Sequence, residues 1–128
     1  MSDDPYGAEV RRLFANPEHA GCLSGAAEAY VSKQGVRIRL FATTAAGRID
    51  SLRFQAWGCP HVIAASEAFC KRYEGRAVTD LETFSAHELL RTLSVPVTKT
   101  GRILVLEDAV RSLGQNILDR SCQTLSRD

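Results

Sequence analysis

The 128-residue sequence lacks the features that mark most enzymes and nucleic-acid-binding proteins. Its sixteen basic residues nearly balance its fifteen acidic ones, and no run of Lys or Arg is interleaved with aromatic residues, so the charge pattern of a nucleic-acid binder or a polybasic membrane patch is absent. It shows no Ser/His/Asp set, no paired carboxylates and no glycine-rich phosphate loop. We therefore expect a protein that is not an enzyme and binds neither nucleic acid nor a membrane.

Long hydrophobic runs are also missing. No apolar stretch approaches the length needed to span a membrane, and the acidic first residues lack the charged-then-apolar pattern of a secretory signal, which predicts a cytoplasmic protein. The length and the 45% hydrophobic content fit a single domain, residues 1–128, with its own core. We expect residues 1–5 and about 119–128 to be flexible.

Cysteine is sparse and widely spaced, at Cys22, Cys59, Cys70 and Cys122. There is no CxxC pair and no Cys/His series of the zinc-finger kind, and a reducing cytosol disfavours a disulfide framework. Cys70 lies among apolar residues at helical spacing, so it is predicted to be a core residue. Cys122 lies in a polar tail and is interpreted as incidental.

Cys59 carries the clearest functional signal. An apolar strand runs through Gly58 and Cys59 into a segment opened by Pro60, and proline is well tolerated at the first position of a helix. The thiol would then sit where free N–H groups and the helix dipole favour an anion such as a thiolate. The alternative, a small buried apolar side chain, stays open.

The remaining pattern predicts alternating strands and amphipathic helices. The segment from Glu18 to Gly35 has little periodicity and is interpreted as a long irregular connection. Trp57 is predicted to be substantially buried against the helix that follows it. The predicted elements are a helix over Tyr6–Ala15, strands over Val36–Thr43 and Arg48–Ala56 joined by a turn at Ala45–Gly47, a helix from Pro60 to about Gly75, a short helix around His87–Leu90, and a long helix over Ile103–Leu118.

This order of elements and motifs resembles the iron–sulfur cluster scaffold family of the IscU and NifU N-terminal type. The resemblance covers roughly Tyr6 to Leu118. The motifs that carry it are Asn16-Pro17 after the first helix, Trp57-Gly58-Cys59 followed by Ile63-Ala64-Ala65-Ser66, Pro96 with Lys99, and Glu107-Asp108-Ala109-Val110.

The resemblance implies an α+β fold, with a small three-stranded antiparallel sheet, helices packed on it and a long C-terminal helix. It also implies a role in iron–sulfur cluster biogenesis or sulfur trafficking, with a cysteine desulfurase or another iron–sulfur assembly protein as partner. Through the family, an iron–sulfur cluster or an iron or zinc ion becomes a candidate ligand, and self-association is a further option.

The departures from the family pattern concern its cluster ligands. In this register, the positions of the other ligand residues are occupied by Lys33, Gly35, Gly101 and Arg102, and only Cys59 is retained. Because an iron–sulfur cluster needs about four ligands, one cysteine cannot form the family's closed site. The family therefore points to Cys59 as a sulfur acceptor or a single ligand to a metal.

Two of these replacements are basic. If Lys33 and Arg102 flank Cys59, their charges lower the pKa of its thiol and favour a standing thiolate. The alternative is that both are solvated loop residues without influence on Cys59.

His61 and Cys22 are the candidate replacement ligands. His61 lies two residues beyond Cys59, and side chains at that spacing diverge on a helix, so we expect His61 to be solvent-facing or capping. Cys22 reaches the site only if its loop folds over it, and we expect that it does not. His19 and His87 are interpreted as ordinary surface histidines.

A second function stays open: an interaction module that binds a desulfurase-like or other assembly partner without metal or sulfur.

Overall fold

A computed structural model describes residues 7–93 and 95–126. The elements in chain order are α1 (Gly7–Ala15), β1 (Ala27–Lys33), β2 (Val36–Ala45), β3 (Arg48–Trp57), α2 (Pro60–Tyr73), a 3-10 helix (Val78–Thr83), α3 (His87–Thr92), a second 3-10 helix (Val97–Lys99) and α4 (Thr100–Ser126). The prediction of an α+β fold with a long C-terminal helix is confirmed. Residues 1–5, expected to be flexible, lie outside the described residues, and α4 continues past its predicted end at Leu118.

The three strands form one antiparallel sheet in the order β1-β2-β3. Two-residue turns join neighbouring strands, at Gln34-Gly35 and at Ala46-Gly47, and all four turn residues have positive φ. Such turns match the twist of paired strands, so each hairpin closes tightly. The predicted turn before β3 is confirmed.

The first strand was not predicted. The segment from Glu18 to Gly35 is not irregular throughout, because Ala27–Lys33 pairs along its whole length with β2. Its inward positions are Ala27, Ala29 and Val31, and the two alanines are buried. Alanine gives a weak apolar signal, so the period of two characteristic of a strand is hard to see in this sequence.

The helices cover the sheet and close one core. The long α4 packs on β1 and β2, α2 packs on β3, and α1 packs on α2. Among the helices of residues 7–93 and 95–126, none combines the length and apolar content that a membrane crossing requires. The largest buried apolar side chains are Phe54, Phe69, Ile38, Leu40, Ile49, Leu52, Leu81, Ile103, Leu106 and Leu113.

The prediction that Trp57 is buried is wrong. Its side chain is 45% exposed. Along β3 the inward side chains are those of Leu52 and Phe54, and the alternation of a strand turns Trp57 to the opposite face. There it lies opposite Arg37 of β2, whose guanidinium carbon is 5.4 Å from the centre of the indole ring.

Candidate functional site

Cys59 lies at the junction of β3 and α2, as the sequence predicted. It is the N-cap residue of α2, with extended backbone angles, and Pro60 is the first helical residue. Its carbonyl accepts a hydrogen bond of 3.0 Å from the N–H of Val62. The preceding Gly58 has φ of +153°, and a Cβ built on it would lie 3.3 Å from Cγ2 of Val36. Glycine therefore allows the sharp exit from β3 that places the thiol.

The surroundings of the half-buried Cys59 thiol favour its anion. Burial raises the pKa of Cys59, but the N–H of Val62, the Arg102 side chain, the N–H of His61 and the charge of Lys99 outweigh it, so the pKa lies below its ordinary value. The N–H groups at the start of α2 and the Arg102 side chain stabilise the thiolate as hydrogen-bond donors, whereas Lys99 acts through its charge.

The predicted basic neighbours of Cys59 are therefore only partly those found. Arg102 acts on the thiol, while the second cation is Lys99 rather than Lys33. The ammonium group of Lys33 lies 3.1 Å from the carboxylate of Asp108 in an exposed ion pair. This pair joins the end of β1 to α4. Lys99 precedes α4 by one residue and is brought to Cys59 by the turn of the second 3-10 helix.

The turn at Gln34-Gly35 and the start of α4 are also adjacent. A Cβ built on Gly101 would lie 4.0 Å from the side chain of Gln34. The positions that the family resemblance assigned to cluster ligands are thus gathered at one end of the molecule, but glycine at 35 and 101 offers no side-chain donor.

His61 is not solvent-facing, and that prediction is wrong. It is 1% exposed within the first turn of α2. Burial and the charge of Lys99 lower the pKa of the His61 imidazole, so its neutral form is favoured. The ring packs as a buried side chain while the His61 backbone N–H faces the thiol.

The other cysteines differ sharply from Cys59. Cys70 is fully buried in α2, which confirms its predicted place in the core, and burial together with nearby Glu67 and Glu74 raises its pKa well above the ordinary value. Cys22 is exposed and lies outside the groups that act on Cys59. The side chain of Cys122 lies outside the described residues.

His19 is not an ordinary surface residue, in contrast to the exposed His87. Its side chain is 14% exposed and lies between two carboxylates: Nδ1 is 2.7 Å from Oε2 of Glu67, and Nε2 is 3.1 Å from Oε1 of Glu74. The backbone N–H of His19 donates to Oε1 of Glu67 at 2.7 Å. Glu67 is 1% exposed, so the imidazole supplies the contact that a buried carboxylate requires.

Three groups contact the Glu74 carboxylate: the His19 ring, the Leu52 N–H and the Arg53 side chain. Its Oε2 accepts hydrogen bonds from the N–H of Leu52 at 2.9 Å and from Arg53 at 3.0 Å. Burial raises the pKa of Glu74, but the Leu52 N–H, His19 and Arg53 together lower it by more, so the pKa of Glu74 lies below the ordinary value. Glu74 therefore stabilises the fold above its ordinary pKa, and this contribution is lost as the pH falls through the lowered value.

The family is decided by the extent of the sequence match. Residues 5–119 match the family described as NifU-like N terminal domain. The chain belongs to the NifU-like N-terminal domain family. Its relatives include an iron–sulfur cluster assembly scaffold protein, so the chain belongs to the NifU/IscU-like family of iron–sulfur cluster assembly scaffolds.

Two relatives and one structure illustrate the range of this family. The mitochondrial iron sulfur cluster assembly protein 1 of Eremothecium gossypii is 25% identical over 115 residues, 84% of this chain and 75% of that protein. The iron–sulfur cluster assembly scaffold protein IscU of Rickettsia prowazekii is 25% identical over 84% of this chain and 87% of that protein. The N-terminal NifU-like protein from Brucella abortus has the same fold, with a TM-score of 0.66 at 14% identity over 88% of this chain and 96% of that one.

The donor set around Cys59 does not fit an iron–sulfur cluster held by one NifU-like chain. Within the described residues, only Glu18, His19 and Glu67 form a group of three or more His, Cys, Asp or Glu side chains with converging donor atoms. Cys59 is outside that group, and its charged neighbours are Arg102 and Lys99. A cation next to the thiol opposes the approach of a metal ion and favours an isolated thiolate.

Proposed function

We propose that this NifU-like domain is a divergent, non-enzymatic member of the iron–sulfur assembly scaffolds, in which Cys59 accepts sulfur. One observation carries the proposal: the thiol at the start of α2 is accessible and its pKa is lowered. A thiolate is the form of cysteine that attacks sulfur.

The chemistry requires only a persulfide donor, R–S–SH. The Cys59 thiolate attacks the outer sulfur of the donor, a new S–S bond forms at Cys59, the S–S bond of the donor breaks, and the donor leaves as the thiolate R–S⁻. The products are Cys59 persulfide and R–S⁻, so no external oxidant or reductant is consumed. The donor class we propose is the persulfide of a cysteine desulfurase, in line with the family to which the chain belongs.

Arg102 and Lys99 would assist in two ways. Their charges keep Cys59 ionised near neutral pH, and they would also stabilise the anionic persulfide formed on Cys59. Neither residue needs to exchange a proton with the sulfur.

The pH dependence of Cys59 alkylation tests the electrostatic part of this proposal. Because the folded-state pKa of Cys59 is lowered, its alkylation rate should reach a plateau at a lower pH than that of an unperturbed thiol. The Arg102→Ala, Lys99→Ala double variant should move the plateau to higher pH. The measurement is mass spectrometry of alkylated peptides across a pH series.

Lys33→Ala is the matched control for that experiment. It removes one positive charge, where the double variant removes two, but Lys33 is paired with Asp108 and should leave the Cys59 profile unchanged. A profile unaffected by the double variant, or shifted equally by Lys33→Ala, would refute the assignment of Arg102 and Lys99.

Sulfur transfer is the direct test of function. Protein incubated anaerobically with a small-molecule persulfide should gain one sulfur atom on the peptide that contains Cys59, because this half-buried thiol has a lowered pKa. Cys59→Ser should abolish this product, and Cys22→Ser, which removes an exposed thiol, should not.

The alternative function is an interaction module that binds an assembly partner without carrying sulfur. It predicts that Cys59 gains no sulfur from the donor while a cysteine desulfurase still binds the protein, with equal affinity for the wild type and Cys59→Ser. That pair of results would replace the sulfur-acceptor proposal.

A further inference from the structure

A second set of potential ligands lies away from Cys59, where the segment after α1 meets the middle of α2. It consists of Glu18, His19 and Glu67, here called the His19 cluster. One donor atom from each side chain lies within 4.8 Å of the others. We propose that the His19 cluster is a binding site for a divalent transition-metal ion, with Zn²⁺ as the ion that its ligands suit.

The ligand types and spacing fit such an ion. Zinc is bound in proteins by imidazole nitrogen and carboxylate oxygen at about 2.0–2.2 Å, and three protein ligands with an open fourth position are a common arrangement. Two ligand atoms on a tetrahedral ion lie about 3.3 Å apart. In the cluster, Nδ1 of His19 is 2.7 Å from Oε2 of Glu67. A small separation of these two side chains therefore admits the ion, and Glu18 is already within reach.

The outer ring nitrogen of His19 is already oriented as a metal ligand requires. A metal-bound imidazole usually donates its second N–H to a carboxylate, which fixes the ring and its tautomer. Here Nε2 faces Oε1 of Glu74 at 3.1 Å. Glu74 is itself fixed by Leu52 and Arg53, so the acceptor is in position before any ion arrives.

The burial of Glu67 is compatible with an ion at this place. The Glu67 carboxylate is 1% exposed on α2, and in the ion-free protein His19 is its partner. A buried carboxylate can be satisfied either by such a pairing or by a metal, so an ion between the two side chains would replace the His19 imidazole as the direct partner of Glu67. Glu18 is exposed, and it leaves the cluster open to solvent on one side, which gives the ion an entry path.

Calorimetric titration of the chelator-treated full-length protein with Zn²⁺, in a phosphine reductant, tests the proposal. The wild type should bind one ion at the cluster. Glu18→Gln and His19→Gln should each weaken binding by about tenfold or more, the lower end of what the loss of a supporting group costs a metal site. Glu18 is exposed, so its substitution does not disturb the core.

Two controls separate the cluster from other sites. Glu82→Gln removes an exposed carboxylate elsewhere and should leave the affinity unchanged. Cys59→Ser should also leave it unchanged, which distinguishes this site from the sulfur-accepting thiol. Binding that is lost in Cys59→Ser but retained in Glu18→Gln would overturn the proposal, as would the absence of any Zn²⁺ binding by the wild type.

Cobalt provides a second measurement that needs no variant. Co²⁺ in place of Zn²⁺ should give a visible spectrum of nitrogen and oxygen ligands without thiolate-to-metal charge-transfer bands. A spectrum dominated by thiolate bands would assign the ion to cysteine and refute the His19 cluster as its site.

Discussion

Phe69→Ala is expected to lower the free energy of unfolding by about 3–5 kcal/mol, the cost of removing a large aromatic ring from a packed core. Phe69 is fully buried in α2. Its ring stacks on Tyr73 and meets Phe84 edge to face, with centroid distances of 5.2 Å to each. Truncation would remove both ring contacts and leave a cavity between α2 and the segment that follows the first 3-10 helix. Urea unfolding followed by circular dichroism measures the loss.

Trp57→Ala is the matched control. It also removes a large aromatic side chain, but Trp57 is 45% exposed and its contact with Arg37 is a cation–π interaction at the surface. We expect a loss below about 1 kcal/mol. A larger loss for Trp57→Ala than for Phe69→Ala would show that the direction of β3 side chains is misassigned.

His19→Ala is expected to lower the free energy of unfolding by about 3 kcal/mol at neutral pH in the presence of a chelator. The His19 imidazole is the side-chain hydrogen-bond partner of the buried Glu67 carboxylate. Removing the partner of a buried charged group costs about 3 kcal/mol. Glu67 loses its side-chain partner and keeps the backbone N–H of residue 19, whereas Glu74 keeps its bonds to Leu52 and Arg53.

A double variant separates this charge effect from simple loss of packing. His19→Ala combined with Glu67→Gln also removes the buried carboxylate charge, so it should be more stable than His19→Ala alone at neutral pH. His87→Ala, at an exposed histidine, should have no measurable effect. If the double variant is no more stable than the single one, the carboxylate of Glu67 is not the source of the loss.

The fold could be predicted where hydrophobic periodicity was strong. In β2, Val36, Ile38 and Leu40 alternate with arginines, and this pattern alone identified the central strand. The first strand failed the same test because its buried positions are held largely by alanine. Trp57 was misplaced because its size suggested the core, whereas its place in the alternation of β3 decides its direction.

The position of Cys59 could be predicted from the sequence, but its charged neighbours could be predicted only in part. Local sequence sufficed for Cys59, since Gly58 and Pro60 mark the end of a strand and the start of a helix. Its charged neighbours come from α4 and the turn before it, and no local rule selects Lys99 over Lys33. Lys33 instead forms an ion pair with Asp108 of α4.

The His19 cluster was missed because Glu67 is 48 residues from His19 in the chain. The available signal was Glu67 itself. A charged residue within the apolar face of α2, between Ala64 and Phe69, implies a buried partner from another segment. The sequence indicates that such a partner is needed but not which residue provides it.

Cys59 at the N-cap of α2 and Cys70 within α2 together allow the opening of the protein core to be measured. Cys70 has no access to solvent in the folded chain, so a thiol reagent can modify it only when the core opens, and its labelling rate reports how often that happens. Cys59, about three turns earlier at the N-cap of the same helix, reacts without any opening. A single labelling time course thus records chemical reactivity at one end of α2 and the frequency of core exposure at the other, in the same molecules and under native conditions.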